Sequence, residues 1–146
     1  LATSEGTVGD ELEVLAARVA LGEGQFDLAV RLARATLARA EASGRHELAY
    51  EALEVVGQRE RHRDLASAEE AFTTALAVAE QHHLSLERVR ALHELGTIDL
   101  IGGGPVDRLA QARQAALGAG ALATAATVSL QMAAWYANHA EPYQML

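Results

Sequence analysis

The sequence predicts an all-α protein, and three observations carry that expectation. Alanine, the best helix former, supplies 32 of the 146 residues. Only two prolines interrupt the chain, and the β-branched and aromatic residues that favour strands are sparse. Short glycine-marked breaks separate stretches with helical apolar spacing. The length suits one domain with its own core, so residues 1–146 read as a single domain. The start at Leu1 rather than Met reads as a piece of a longer chain.

Seven helices are expected, in this order. The first starts near Asp10, where Asp10 and Glu13 have capping-box spacing, and ends at Gly22 or Gly24. The second runs from about Gln25 to Glu41 and stops before Gly44. The third covers His46 to Arg61, and Asp64 caps a fourth that ends near His82. Ser85 is the expected cap of the fifth, which reaches Leu100 or Ile101. Pro105 suits the first turn of the sixth, which ends at Gly118 or Gly120. The seventh runs from about Ala121 to Asn138, before Pro142. Connections this short favour antiparallel hairpins of sequential helices.

Composition narrows the function classes. The net charge is −8, with twelve Arg and no Lys, and an acidic chain repels the phosphate backbone, so direct nucleic-acid binding is not expected. There is no Cys, hence no disulfide, thiolate nucleophile or cysteine zinc site. No stretch approaches the roughly 18 apolar residues of a membrane span, and no signal peptide is visible. A cytoplasmic location without membrane contact is the expectation.

Two different helices repeat at one spacing. "EALEVVG" (Glu51–Gly57) resembles "RALHELG" (Arg90–Gly96), and "AVRLARATLARAE" (Ala29–Glu41) resembles "AEEAFTTALAVAE" (Ala68–Glu80), both 39 residues apart. A looser third copy places Leu117 opposite Leu76, 41 residues on, with the Gly102–Gly104 loop absorbing the difference. The glycines after "RALHELGTIDLI" could suggest a phosphate-binding loop. That loop needs a Gly followed by Lys and then Ser or Thr, whereas Gly104 is followed by Pro105 and Val106. The run before them belongs to the first helix of a pair, and the glycines read as a turn.

These residues carry a resemblance. Val56-Gly57 with Ala68, Phe72 and Ala75, and Leu95-Gly96 in the next copy, look like a tetratricopeptide repeat, although the repeat is longer than the family's usual 34 and lacks its Pro. "AEEAFTTALAVAEQHHLSLERVRALHELGTIDLIGG" and "DRLAQARQAALGAGALATAATVSLQMA" are further similar to the helical-repeat region of large LuxR-type, MalT-like transcriptional regulators of actinobacteria. The resemblance implies a tetratricopeptide-like solenoid of antiparallel hairpins. It also implies a non-catalytic sensing or partner-binding arm, lying between an ATPase module and a helix-turn-helix domain. A free-standing protein–protein scaffold is the alternative. In tetratricopeptide arrays the first helix of each pair lines a concave groove. Carried over from the Gly-bearing pair, the groove positions are Glu51, Glu54, Gln58 and Arg61, then Arg90, His93, Thr97 and Leu100. The expected occupant is a protein partner or a small effector.

Catalytic and metal chemistry find weaker support. "HELAY" at His46 and "HELGT" at His93 begin like a zincin motif but lack its second His. The adjacent His82 and His83 point about 100° apart on a helix and do not share an ion easily. Solvated or turn-capping histidines are expected, with no metal, no cofactor and no catalytic residue; no elbow motif frames any Ser. The remaining enzyme class to weigh is a His/Glu metal hydrolase. The basic run Arg59–Asp64 could hold an anion, but more simply solvates a turn at the C-terminal end of its helix. Phe72, Leu76, Leu92 and Leu95 are expected in the core. Trp135 and Tyr136 belong either to the core or to an exposed terminal face through which the chain could form a homodimer.

Overall fold

The computed structural model describes residues 4–140. They form seven helices: α1 (Ser4–Gly22), α2 (Phe26–Ser43), α3 (His46–Arg61), α4 (Leu65–Gln81), α5 (Ser85–Ile101), α6 (Asp107–Gly118) and α7 (Leu122–His139). There is no strand among the described residues. The all-α expectation holds.

Local capping explains four of the boundaries. Asp64 is extended and accepts from the backbone N–H of Ala66 and Ser67 at 3.2 and 3.3 Å, which starts α4. Helices α2, α4 and α6 end in one way. Gly44, His83 and Gly120 take left-handed φ values of 68°, 56° and 73°. The amide after each then donates back to the helix, Arg45 to Ala40, Leu84 to Ala79 and Ala121 to Ala116, at 2.8–2.9 Å. His83 is the one non-glycine with positive φ among the described residues.

Four expectations need correction. Helix α1 begins at Ser4, well before Asp10. Asp10 is no cap but a buried mid-helix carboxylate, bonded to Arg39 Nε at 2.6 Å and to Arg45. Ser85 does not cap α5; Leu84 holds that position without a side-chain bond, because the chain enters from the left-handed His83. Helix α6 starts at Asp107 behind Val106, two residues beyond Pro105, so Pro105 lies outside its first turn. The third copy is also in a different register. Phe72 and Leu109 occupy the same place, each against a helical glycine, and both lie 37 residues apart along with His83 and Gly120. The Leu76–Leu117 match is therefore out of step.

Each helix packs on its successor, and α1 also touches α3, as α3 touches α5. The buried clusters follow that order. One joins Ala17, Ala29, Val55 and Ala71; another joins Tyr50, Leu53, Ala75 and Ala91; a third joins Leu92, Leu109 and Val128. The core is thus a thin apolar layer running along the chain. Phe72 and Leu95 are fully buried or nearly so, Leu92 is 2% exposed, and Leu76 is half-buried.

Two mid-helix glycines set the closeness of the pairs. A Cβ on Gly57 would stand 2.6 Å from the Phe72 ring. One on Gly96 would stand 2.7 Å from Leu109 Cδ2 and 2.9 Å from the Leu109 backbone N. Gly57→Ala and Gly96→Ala should therefore destabilise by ~1–3 kcal/mol despite Ala's better propensity. Gly96→Ala should be the worse, because backbone as well as side chain must move. Urea unfolding of both variants checks the order. In the same assay His83→Gly should raise stability by ~1 kcal/mol, since it relieves the left-handed backbone.

Candidate functional site

The 39-residue spacing places the first helices of the pairs in step. Leu12 of α1, Glu51 of α3 and Arg90 of α5 are equivalent, as are Leu15, Glu54 and His93, and Val19, Gln58 and Thr97. A ladder of charges crosses these helices. Glu54 Oε2 accepts from Arg18 Nη2 at 3.1 Å and lies 3.3 Å from Arg90 Nη2. Arg18 also stands 4.0 Å from Glu51. Glu54 is only 7% exposed. Burial pushes its carboxyl above the ordinary range, and the cations Arg90 and Arg18 offset part of that rise.

Beneath the ladder, the Arg90 guanidinium lies 5.1 Å from the centre of the Tyr50 ring. Tyr50 is wholly buried, which raises its phenol pKa, and the nearby Glu54 raises it further. Among the described residues, the Tyr50 hydroxyl and Arg90 Nε have no hydrogen-bond partner. Farther on, His93 Nε2 meets Gln131 Oε1 of α7 at 2.8 Å. Gln131 Nε2 donates to Thr97 Oγ1 at 3.3 Å, and Thr97 donates to the His93 carbonyl at 2.9 Å.

The structure brings Glu51, Glu54 and Arg90 into one network and His93 and Thr97 into a second. Arg61 turns aside to pair with Glu94. Gln58 and Leu100 are half-buried and join neither network. Sequence reasoning missed Arg18, Tyr50 and Gln131. The 39-residue spacing, taken back one step from Gly57, would have led to Arg18.

The other candidate groups have local partners. Arg59 lies 4.3 Å over the Phe26 ring and Arg63 stands 3.9 Å from Glu60, so the basic run braces the end of α3. His46 stacks on His82 with ring centroids 3.2 Å apart. Desolvation, then the neighbouring His46 and His83, hold His82 below the usual imidazole range. His139 stacks on Trp135. Among the described residues, no three His, Asp or Glu side chains converge as metal ligands. The glycine loop uses its own amides: Gly102, Gly103 and Gly104 donate to Ile98, Leu100 and Asp99 carbonyls. Trp135 Nε1 donates to the Gly104 carbonyl at 3.1 Å, which docks α7 on that turn, while Tyr136 remains 54% exposed. A cleft of about 460 Å³ opens beside the ladder, between α1, the start of α3 and the turn from α4 to α5, with Glu11, Glu47 and Glu51 on its wall.

The chain matches no family model, no curated protein and no solved structure. Among the described residues, no helix is long and apolar enough to cross a membrane.

Asp10 and Glu54 should leave opposite marks on acid stability. Hydrogen bonds from Arg45 and Arg39 lower the Asp10 pKa, so its contribution is complete above the ordinary carboxylate range and lost as pH falls below it. Asp10→Asn should cost about 1–2 kcal/mol at neutral pH and progressively less below about pH 4. The Glu54 pKa is raised, so its ionisation weakens the fold as pH climbs above about 4.3. Glu54→Gln should remove that downward slope. Urea midpoints measured between pH 3 and 7 separate the two.

Proposed function

We propose that this chain is a non-catalytic binding module, a tetratricopeptide-like solenoid of antiparallel helix hairpins whose first helices present a recognition face. The observation that carries this reading is the polar ladder Arg18–Glu54–Arg90, continued by His93, Gln131 and Thr97. Its groups come from four helices, α1, α3, α5 and α7, and they are bound to one another before any ligand arrives. A face so held loses little side-chain freedom on binding, which favours recognition. Packing of each helix on its successor, with lighter contacts between alternate helices, and the thin continuous core support the solenoid. The likeness to the helical region of LuxR-type regulators gives the wider role: an arm that senses a protein partner or small effector and passes the event on through altered curvature or domain contacts.

The regulator reading is tested on the full-length protein. Its coding sequence should hold a Gly-rich loop ending in Lys-Ser/Thr before this segment and a basic helix-turn-helix after it. In that protein, His93→Ala with Gln131→Ala should reduce the transcriptional response of a reporter at least fivefold while circular dichroism keeps the helical signal. An undiminished response removes this face from signalling. Flanks lacking both modules leave a protein–protein scaffold outside transcription.

A further inference from the structure

The face described above is apolar on one helix. Val8, Leu12, Leu15 and Val19 of α1 are between 54% and 59% exposed. Their spacing puts them on one stripe about 16 Å long. Their equivalents in α3 are Glu47, Glu51, Glu54 and Gln58, the row on the recognition face. They are not the equivalents of Leu48, Ala49, Ala52 and Val55, which stack α3 on the preceding pair. Stacking positions carried back to α1 fall on Gly9, Asp10, Glu13 and Ala16. A further hairpin packed before α1 in the same manner would cover that second set and leave the apolar stripe open.

The border of the stripe is acidic. Glu11 and Glu47 are exposed and form no ion pair among the described residues. The nearest cation to Glu51, Arg18, stands at 4.0 Å and is already bonded to Glu54. These three carboxylates share the cleft of about 460 Å³ with Leu48 and Leu84. The one arginine on that wall, Arg45, is bonded to Asp10. The rest of the wall is the stacked His46 and His82 rings, so the cleft combines an apolar and aromatic floor with surplus carboxylates, in a chain of net charge −8.

We propose that α1 is the docking strip for a basic amphipathic helix of a partner protein. Apolar residues of that helix at i, i+4, i+7 and i+11 lie along Val8, Leu12, Leu15 and Val19. Lys or Arg on its flank reach toward Glu11, Glu47 and Glu51. A long basic side chain lays its methylenes on Leu48 and Leu84 and its charge among the carboxylates. The acidic rim selects the partner and speeds encounter, and the stripe holds it. This inference rests on reading the first-helix face as a binding surface and names its occupant.

The test uses the whole 146-residue chain and fluorescence anisotropy with three labelled helical peptides. One carries a Leu stripe flanked by Arg, one the same stripe flanked by Glu, and one the Arg flank with Ser in place of Leu. The first should bind at least tenfold more tightly than either other, and added salt should weaken it. Leu12→Ser with Leu15→Ser should weaken that binding at least tenfold. Glu11→Gln with Glu47→Gln should weaken it severalfold and flatten its salt dependence. All four side chains are solvent-exposed, so melting curves should not move. Equal binding of the Glu-flanked peptide, or no binding of any peptide, overturns the proposal. So does sedimentation of the chain as a dimer that Leu12→Ser with Leu15→Ser dissolves, because the occupant is then a second copy. A reporter still dependent on His93 beside failed peptide binding would leave the recognition reading standing. Peptide binding beside an indifferent reporter would keep the strip and discard the regulator.

Discussion

The close approach of a bulky side chain to a helical glycine is the constraint from which the rest of this architecture follows. Phe72 lies over Gly57 and Leu109 over Gly96, each where a methyl group would not fit. That contact brings α4 onto α3 and α6 onto α5 closely enough for alanines to fill the remaining space. Ala75, Ala79, Ala112 and Ala116 are all fully buried around it. Alanine loses no side-chain entropy on burial but contributes little apolar area. A core of this kind holds only if the helix backbones come near, so two unfavourable mid-helix glycines become the condition for a stable pair.

Thin packing also explains where the charges went. With small residues between helices, the polar rows of neighbouring first helices come within reach of one another, and long arginines span the gap. Arg18 and Arg90 reach Glu54 from either side, Arg61 reaches Glu94, and Arg108 holds Asp99 at 2.7 Å while also reaching Glu69. Most of these arginines are a quarter to a half exposed, so each pair adds modest stability. Their greater effect is registry. A slip of one helix against the next would strand the Glu54 carboxylate, which is 7% exposed, and the cost of a buried unpaired charge opposes the slip.

The legible part of this fold was the part written in local chemistry. Both ends of α3 lie where the glycine breaks and helical spacing place them, and Asp64 caps α4 as its residue type suggests. The misread places are those where a distant partner overrules a local rule. Asp10 has capping-box spacing to Glu13, but Arg39 and Arg45, on and after α2, claim its carboxylate and α1 continues through it. Ser85 has the side chain of a cap but arrives one residue late, because His83 turns the chain first. The third copy was misaligned because leucine was matched to leucine. The structure instead conserves a contact, with Phe72 and Leu109 each filling the space a glycine leaves. The candidate face was legible on α3 and α5 and invisible on α1, where the same positions carry Leu12, Leu15 and Val19 in place of polar groups.

That change of chemistry along one structural row bears on how the face works. On α3 and α5 the row is occupied by groups that satisfy each other, so a ligand there must replace hydrogen bonds it displaces, and the net gain is small. On α1 the same row offers apolar surface that is unsatisfied in water, and covering it is favourable in proportion to its area. Affinity and selectivity are therefore separated in space. On the proposed reading, the leucines of α1 supply the driving force, while the carboxylates at the mouth of the cleft and the ladder behind it determine which partner can come close enough to use it.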